Sequence, residues 1–164
     1  MARFLLCALS LILLAFGCEK SAEEKAMEKQ IEEKTGAEAD VDLSKKRMKV
    51  AGETEGGKYT VTSGEGTEIP EGFPADVFIY RPSKTIMAME IPEGYSVALT
   101  TRDDSSKVRS AYSQEMEARG WSEETSMNIK SQSVLVYKKD ERAANISIVL
   151  SGKEIQISVT VTKE

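Results

Sequence analysis

The side chains able to do chemistry are few. The chain holds two cysteines, Cys7 and Cys18, and no histidine in 164 residues. Without histidine it lacks the usual general base near neutral pH and the commonest metal ligand. Ser-His-Asp, Cys-His and His-metal schemes are therefore excluded. Carboxylates remain, and Asp103-Asp104 and Asp140-Glu141 are adjacent pairs. A Ca²⁺ loop needs roughly six to eight oxygens at close spacing, and neither pair has such companions; a helix cap and a turn account for them. A carboxylate-only hydrolase would need two acids converging at roughly 5–9.5 Å, which no spacing here predicts. Met87-Ala88-Met89 places two thioethers at i,i+2, soft donors of the kind that hold Cu(I). With no Cys or His beside them, packing is the simpler expectation, and Met87 and Met89 stand as weak metal candidates only. Ser83-Lys84 and Ser106-Lys107 have no third partner, and there is no Gly-rich phosphate loop. The expectation is a protein with no catalytic residue and no cofactor, not an enzyme.

Cys18 differs because of what precedes it. Arg3 is the only charge before Glu19, and Phe4 to Gly17 is an apolar run of 14 broken only by Ser10. As a helix the run would be roughly 21 Å long, short of a ~30 Å hydrocarbon core. A positive start, a short apolar stretch and a small residue before the cut read as a secretory signal over residues 1–17. Leu14-Ala15-Phe16-Gly17-Cys18 resembles the lipobox of bacterial lipoproteins. Gly17 and Cys18 fit; Ala15 and Phe16 stand where Leu and then Ser or Ala are commonest. The resemblance implies a diacylglyceryl group on the Cys18 thiol and cleavage between Gly17 and Cys18. It also implies that Cys7 is discarded with the leader. Each buried CH₂ is worth about 0.8 kcal/mol and one chain holds only marginally, so stable anchoring needs at least two. By the same resemblance, Glu19 after the lipidated residue favours the outer membrane, facing the periplasm, over the inner one.

Cleavage would remove Arg3 and take the net charge from −5 to −6. A mildly acidic chain offers no field for nucleic acid. Cys18 would be the one cysteine left, so no intramolecular disulfide can brace the fold. The expected partners are the membrane, through the lipid on Cys18, and an unidentified protein or small molecule.

Residues 18–36 read as a lipidated cysteine and charged helical tether. Ser21 and Glu24 have capping-box spacing, Lys20–Glu24 and Lys29–Glu33 pair at i,i+4, and Gly36 is a natural stop. Residues 37–66 read as a small polar β-meander of three runs, Ala39–Leu43, Arg47–Ala51 and Lys58–Ser63, with Gly64-Glu65-Gly66 as a hinge. Residues 67–164 read as an α+β globular domain. Asp76–Tyr80 is a short strand between Pro74 and Pro82. Ile69-Pro70-Glu71-Gly72-Phe73 and Ile91-Pro92-Glu93-Gly94-Tyr95 are near copies with turn chemistry, the second closing a hairpin. Val108, Ala111, Tyr112 and Met116 share one helical face; Gly120 is the stop, and Trp121 folds back under Met116. Four strands follow, ending in the clean alternation Ile155–Thr162. The expected fold class is α+β: an antiparallel sheet with one packed helix, preceded by the meander and the N-terminal helical stalk.

The run Ile69-Pro70-Glu71-Gly72-Phe73-Pro74-Ala75-Asp76-Val77, then Tyr80, Tyr112, Met116, Arg119-Gly120-Trp121, resembles a group of bacterial envelope lipoproteins. These combine a lipobox signal, a charged helix and an FPxDV…YxxxMxxxGW domain. That resemblance implies a lipid-anchored, non-enzymatic envelope protein with a binding or structural role. The alternatives are a periplasmic metal or small-ligand carrier and, behind it, the carboxylate-only hydrolase.

Overall fold

The computed structural model describes residues 20–163; the leader, Gly17 and Cys18 lie outside them. Two helices and nine strands are formed by the described residues, in the order α1 (Ala22–Thr35), β1 (Glu38–Asp42), β2 (Arg47–Thr54), β3 (Gly57–Ser63), β4 (Lys84–Ile91), β5 (Gly94–Thr101), α2 (Ser105–Ala118), β6 (Ser122–Ile129), β7 (Gln132–Lys139), β8 (Arg142–Ser151) and β9 (Glu154–Lys163). All nine strands join one antiparallel sheet, ordered β1-β2-β3-β4-β5-β9-β8-β7-β6. Each neighbouring pair except β3–β4 and β5–β9 is a short-loop hairpin, and α2 with β6–β8 fills the excursion between β5 and β9.

This corrects the expected fold class. The protein is not an α+β domain preceded by a separate meander; it is sheet-dominated, with two short helices. The reason is the free edge of β3. Thr60–Ser63 pair with Met87–Glu90 of β4, so the three N-terminal strands extend the larger sheet. A light meander is marginal alone, and sharing a ladder satisfies its backbone groups. Gly64 ends β3 at φ +102, where an added Cβ would lie 1.8 Å from the Lys46 carbonyl oxygen; no other residue fits.

Asp76–Tyr80 is the other correction: it is no strand, since Asp76 and Val77 lie in a turn closed by the Val77 N–H on the Pro74 carbonyl (3.1 Å) and the segment stays outside the sheet. Its polar groups are taken by the helix side of the molecule instead. The Phe78 N–H points at Met116 Sδ (3.4 Å), and the Asp76 carbonyl accepts from Trp121 Nε1 (2.9 Å).

Helix α2 packs across the sheet through Val108, Tyr112 and Met116, all fully buried. It ends as the sequence predicts: Trp121 N–H donates to the Met116 carbonyl (3.0 Å) and Gly120 N–H to that of Glu117 (2.9 Å), with Gly120 at φ +82. Those two bonds satisfy orphan carbonyls and turn Trp121 into the core, where it is 2% exposed. Leu135, Tyr137, Ile146, Ile157 and Val159 supply the sheet side. Each such burial is worth about 1.5–3 kcal/mol.

The capping box of α1 is formed, Ser21 Oγ accepting from Glu24 N–H (3.2 Å) and Glu24 from Ser21 N–H (2.7 Å). The helix does not stand clear of the sheet. Val41 and Leu43 turn their free edge N–H groups towards it, and Glu28 and Glu24 accept them at 2.7 and 2.8 Å. Spacing of i,i+4 on the helix matches i,i+2 on the strand. Carboxylates thus cover an edge that would otherwise invite pairing.

Candidate functional site

The sheet changes polarity halfway across. One row on the face under α2 runs Asp40–Lys49–Thr62–Ala88–Val97–Val159–Ile146–Leu135. A second runs Glu38–Ala51–Thr60–Glu90–Tyr95–Val161–Ala144–Tyr137. Both are largely polar over β1–β4 and largely apolar over β5–β9. The opposite face inverts this, as Ala39–Val50–Val61–Met89–Ser96–Thr160–Asn145. Side chains alternate faces along a strand, so this inversion is written residue by residue.

Over β5–β9 the inner face is sealed by α2. The space is filled by Tyr112, Met116, Trp121, Leu135 and Tyr137, each no more than 2% exposed. Over β1–β4 no helix covers it, and a groove of about 580 Å³ opens there. Its floor is Asp40, Arg47, Lys49, Thr60, Thr62 and Glu90, and its wall is the 66–71 loop with Ile69 and Pro70. Lys20 donates to Asp40 and Glu28, bridging α1 to the groove rim. The Lys20 hydrogen bond, with the Arg47 charge as a lesser cause, holds Asp40 below its ordinary range.

The segment that follows this wall is held by a charge cluster. Arg142 grips Asp76 with two bonds, Nη1 to Oδ1 at 3.0 Å and Nη2 to Oδ2 at 2.7 Å. Lys139 Nζ adds a third at 2.8 Å and also reaches the Arg119 carbonyl. These cations, Arg142 foremost, drive the Asp76 carboxyl far below the usual carboxylate range against its burial. Arg142 lies 5.0 Å from the Trp121 ring centroid, and Arg119 lies 5.3 Å from that of Phe78. Phe73 meets Tyr95 edge-on at 6.0 Å, so the aromatic ends of the two Ile-Pro-Glu-Gly copies touch. Tyr80 donates to Asp103, which Lys107 also holds. The motif residues Asp76, Tyr80, Met116 and Trp121 thus clasp the 73–83 segment to the helix.

Every described carboxylate with a resolved shift moves down: Glu24, Glu28, Asp40, Asp42, Asp76 and Asp103. Asp42 falls to about 2 through its Ser44 hydroxyl bond and the Lys45 N–H. A general acid needs the opposite shift.

Met87 and Met89 both lie on the outer face, half-buried and opposite the groove, paired with Ala98 and Ser96. Met48 shares that face two strands away. Among the described residues no three His, Cys, Asp or Glu side chains are grouped to hold a metal, and no helix is long and apolar enough to cross a membrane. Cys18 and Gly17 fall outside the described residues. Arg47, Lys49, Thr60, Thr62 and Glu90 were not singled out from sequence. Their signal was present in the alternation of Lys58, Thr60 and Thr62 with Tyr59 and Val61, but the partner strand that makes it a groove was not.

A protein-family model described as START domain-like matches residues 83–162, the stretch from β4 through α2 to β9. No curated protein and no solved structure matches the chain.

Proposed function

We propose that the chain is a lipid-anchored bacterial envelope protein that acts by binding, taking a small ligand or an extended partner segment in the groove of β1–β4. One observation carries the reading: the inner face of the sheet turns polar where α2 stops covering it, leaving a floor of charged and hydroxyl groups beside the 66–71 loop. Anchorage rests on the lipobox-like Leu14–Cys18 stretch, and outer-membrane placement on Glu19. The START domain-like match over residues 83–162 is compatible with a ligand-binding fold.

Anchorage is tested by the intact mass of the mature chain from bacterial envelopes. An acylated Cys18 at the N-terminus is expected, and an unmodified thiol or an uncut leader would remove the membrane from the proposal. Binding is tested with a photo-crosslinking residue at Thr62, on the groove floor, or at Thr160, on the opposite face. Adducts with envelope components should form from position 62 and be lost in Arg47→Glu/Lys49→Glu. Equal labelling from both positions, or none from 62, would defeat the groove as the site.

A further inference from the structure

A second cleft, of about 380 Å³, lies between α2 and the β6–β7 hairpin. One wall is the helix face Ser105, Ser106, Arg109, Ser110, Ser113 and Gln114; the other is Asn128, Lys130 and Ser133. The chain carries 27 acidic against 22 basic residues, yet the lining of this cleft holds two cations and no carboxylate. Its remaining groups are hydroxyls and amides, all able to donate.

Three details go beyond a solvated helix face. Arg109 Nη2 donates to Ser126 Oγ (2.8 Å), which fixes the guanidinium across the gap, while its Nε is buried with no hydrogen-bond partner. Ser133 is 6% exposed at a position whose strand neighbours on that face, Leu135 and Tyr137, are core; it donates to Asn128 Oδ1 (3.2 Å). The polar floor is therefore built into the sheet. Asp104 makes no side-chain capping bond, so first-turn N–H groups of α2 stay available beside Ser105 and Ser106.

Two cations with no carboxylate in the lining, one of them a planar guanidinium pinned through Nη2, and a ring of hydroxyl groups suit a tetrahedral oxyanion. We infer that this cleft binds a phosphate group, free or esterified, held by Arg109 and Lys130 with the serine hydroxyls completing its shell. The site is separate from the β1–β4 groove and stands whether or not that groove binds anything.

The test is a titration of the folded chain with inorganic phosphate, followed by amide NMR, with chloride at matched ionic strength as control. Shifts are expected at Ser105, Ser106, Ser110, Asn128 and Lys130, with saturation. Arg109→Gln should weaken the apparent Kd at least about tenfold. Lys130 sits at φ +51 in the turn, so Lys130→Asn removes its charge while tolerating that backbone; it should weaken binding several-fold with an unchanged melting temperature. A second arm uses vesicles of one part phosphatidylglycerol to three parts phosphatidylcholine. Cleft shifts with vesicles at far lower phosphate concentration than with the free anion would assign a lipid headgroup, and the reverse a soluble phosphate. Shifts that chloride reproduces, shifts spread over surface lysines generally, or full binding by Lys130→Asn would overturn the proposal.

Discussion

Asp76→Asn removes one charge and leaves the shape of the side chain almost intact. It therefore isolates the clasp that holds the 73–83 segment against α2. Asp76 accepts three charge-assisted bonds, two from Arg142 and one from Lys139. The three side chains are 29%, 26% and 25% exposed. An exposed ion pair is worth roughly 0–1 kcal/mol, and breaking a buried one costs about 3–5. Side chains only about a quarter exposed, with a bidentate arginine and a second cation left unpaired, place the loss at about 2–3 kcal/mol at pH 7. For a domain of this size that corresponds to a drop of roughly 4–10 °C in Tm. Urea unfolding followed by the emission of Trp121, the single tryptophan, reads the change directly. The Trp121 Nε1 bond goes to the Asp76 backbone carbonyl, so the native emission maximum should stay where it is.

The pH dependence gives a second, independent check. The folded carboxyl of Asp76 titrates far below its ordinary value. Its contribution is therefore complete above the unfolded pKa of about 4 and fades as pH falls below that towards the folded one. The gap between wild type and Asp76→Asn should be constant from pH 7 to 5 and narrow steadily below pH 4. An Arg142→Gln partner should show coupling of about 1–3 kcal/mol with Asp76→Asn in a double-mutant cycle. A loss under about 0.5 kcal/mol, or a gap that does not change on acidification, would refute the clasp as a source of stability and leave Asp76 as a surface charge.

Trp121→Ala empties the site beneath the α2 terminus and should cost about 3–5 kcal/mol in denaturant unfolding; a loss below 1 would mean the helix end is not docked there. In Glu24→Ala/Glu28→Ala the Val41 and Leu43 amides lose their acceptors. Hydrogen exchange at those two positions should accelerate while core amides of β8 and β9 keep their rates. Tyr112 and Tyr137 are pushed up, mainly by burial, Tyr137 to about 12. Phenolate absorbance should thus show both titrating later than the free value of about 10. Because the neutral form is the one stabilised, their contribution holds below pH 10 and is lost as pH climbs through the folded pKa values.

Local chemistry was legible wherever one segment settles its own structure. Ser21, Glu24 and Gly36 fix α1, and Gly120 with Trp121 fixes the end of α2, because capping needs only neighbours within a turn. The Pro92-Glu93 turn closes its hairpin as expected, from Ile91 to Gly94. Asp76–Tyr80 alternates as a strand does, yet its partners are a helix side chain 38 residues on and a tryptophan 45 residues on, which no local pattern reveals. The same is true of the meander. Thr60, Val61 and Thr62 alternate in any sheet; only pairing with Met87–Glu90 decides that Thr62 lies above Ala88 in a groove. The Lys20–Glu24 pair expected along α1 is replaced by Lys20 reaching Glu28 and Asp40, since the docked strand offers a nearer acceptor set.

The size of α2 explains why a groove exists at all. Fourteen residues make a helix about 21 Å long. Nine strands at about 4.8 Å spacing extend roughly 38 Å from first to last. One helix cannot shield that width, so part of the inner face must either carry polar side chains or be covered by something else. From β5 onward the residues facing α2 are Val97, Leu99, Ile157 and Ile146, which need the cover. On the near side they are Asp40, Lys49, Thr60 and Thr62, which do not. A sheet built only to bury its own core would have no use for β1–β3, since the apolar cluster is drawn from β4, β5, β7–β9, α2, Trp121 and the 69–80 segment. Those three strands add area, charge and hydroxyl groups beside the 66–71 loop. Their side chains, more than those sealed between α2 and β5–β9, are where specificity should be sought. The discriminating substitutions are therefore at Arg47, Lys49 and Thr62, none of which belongs to the apolar cluster.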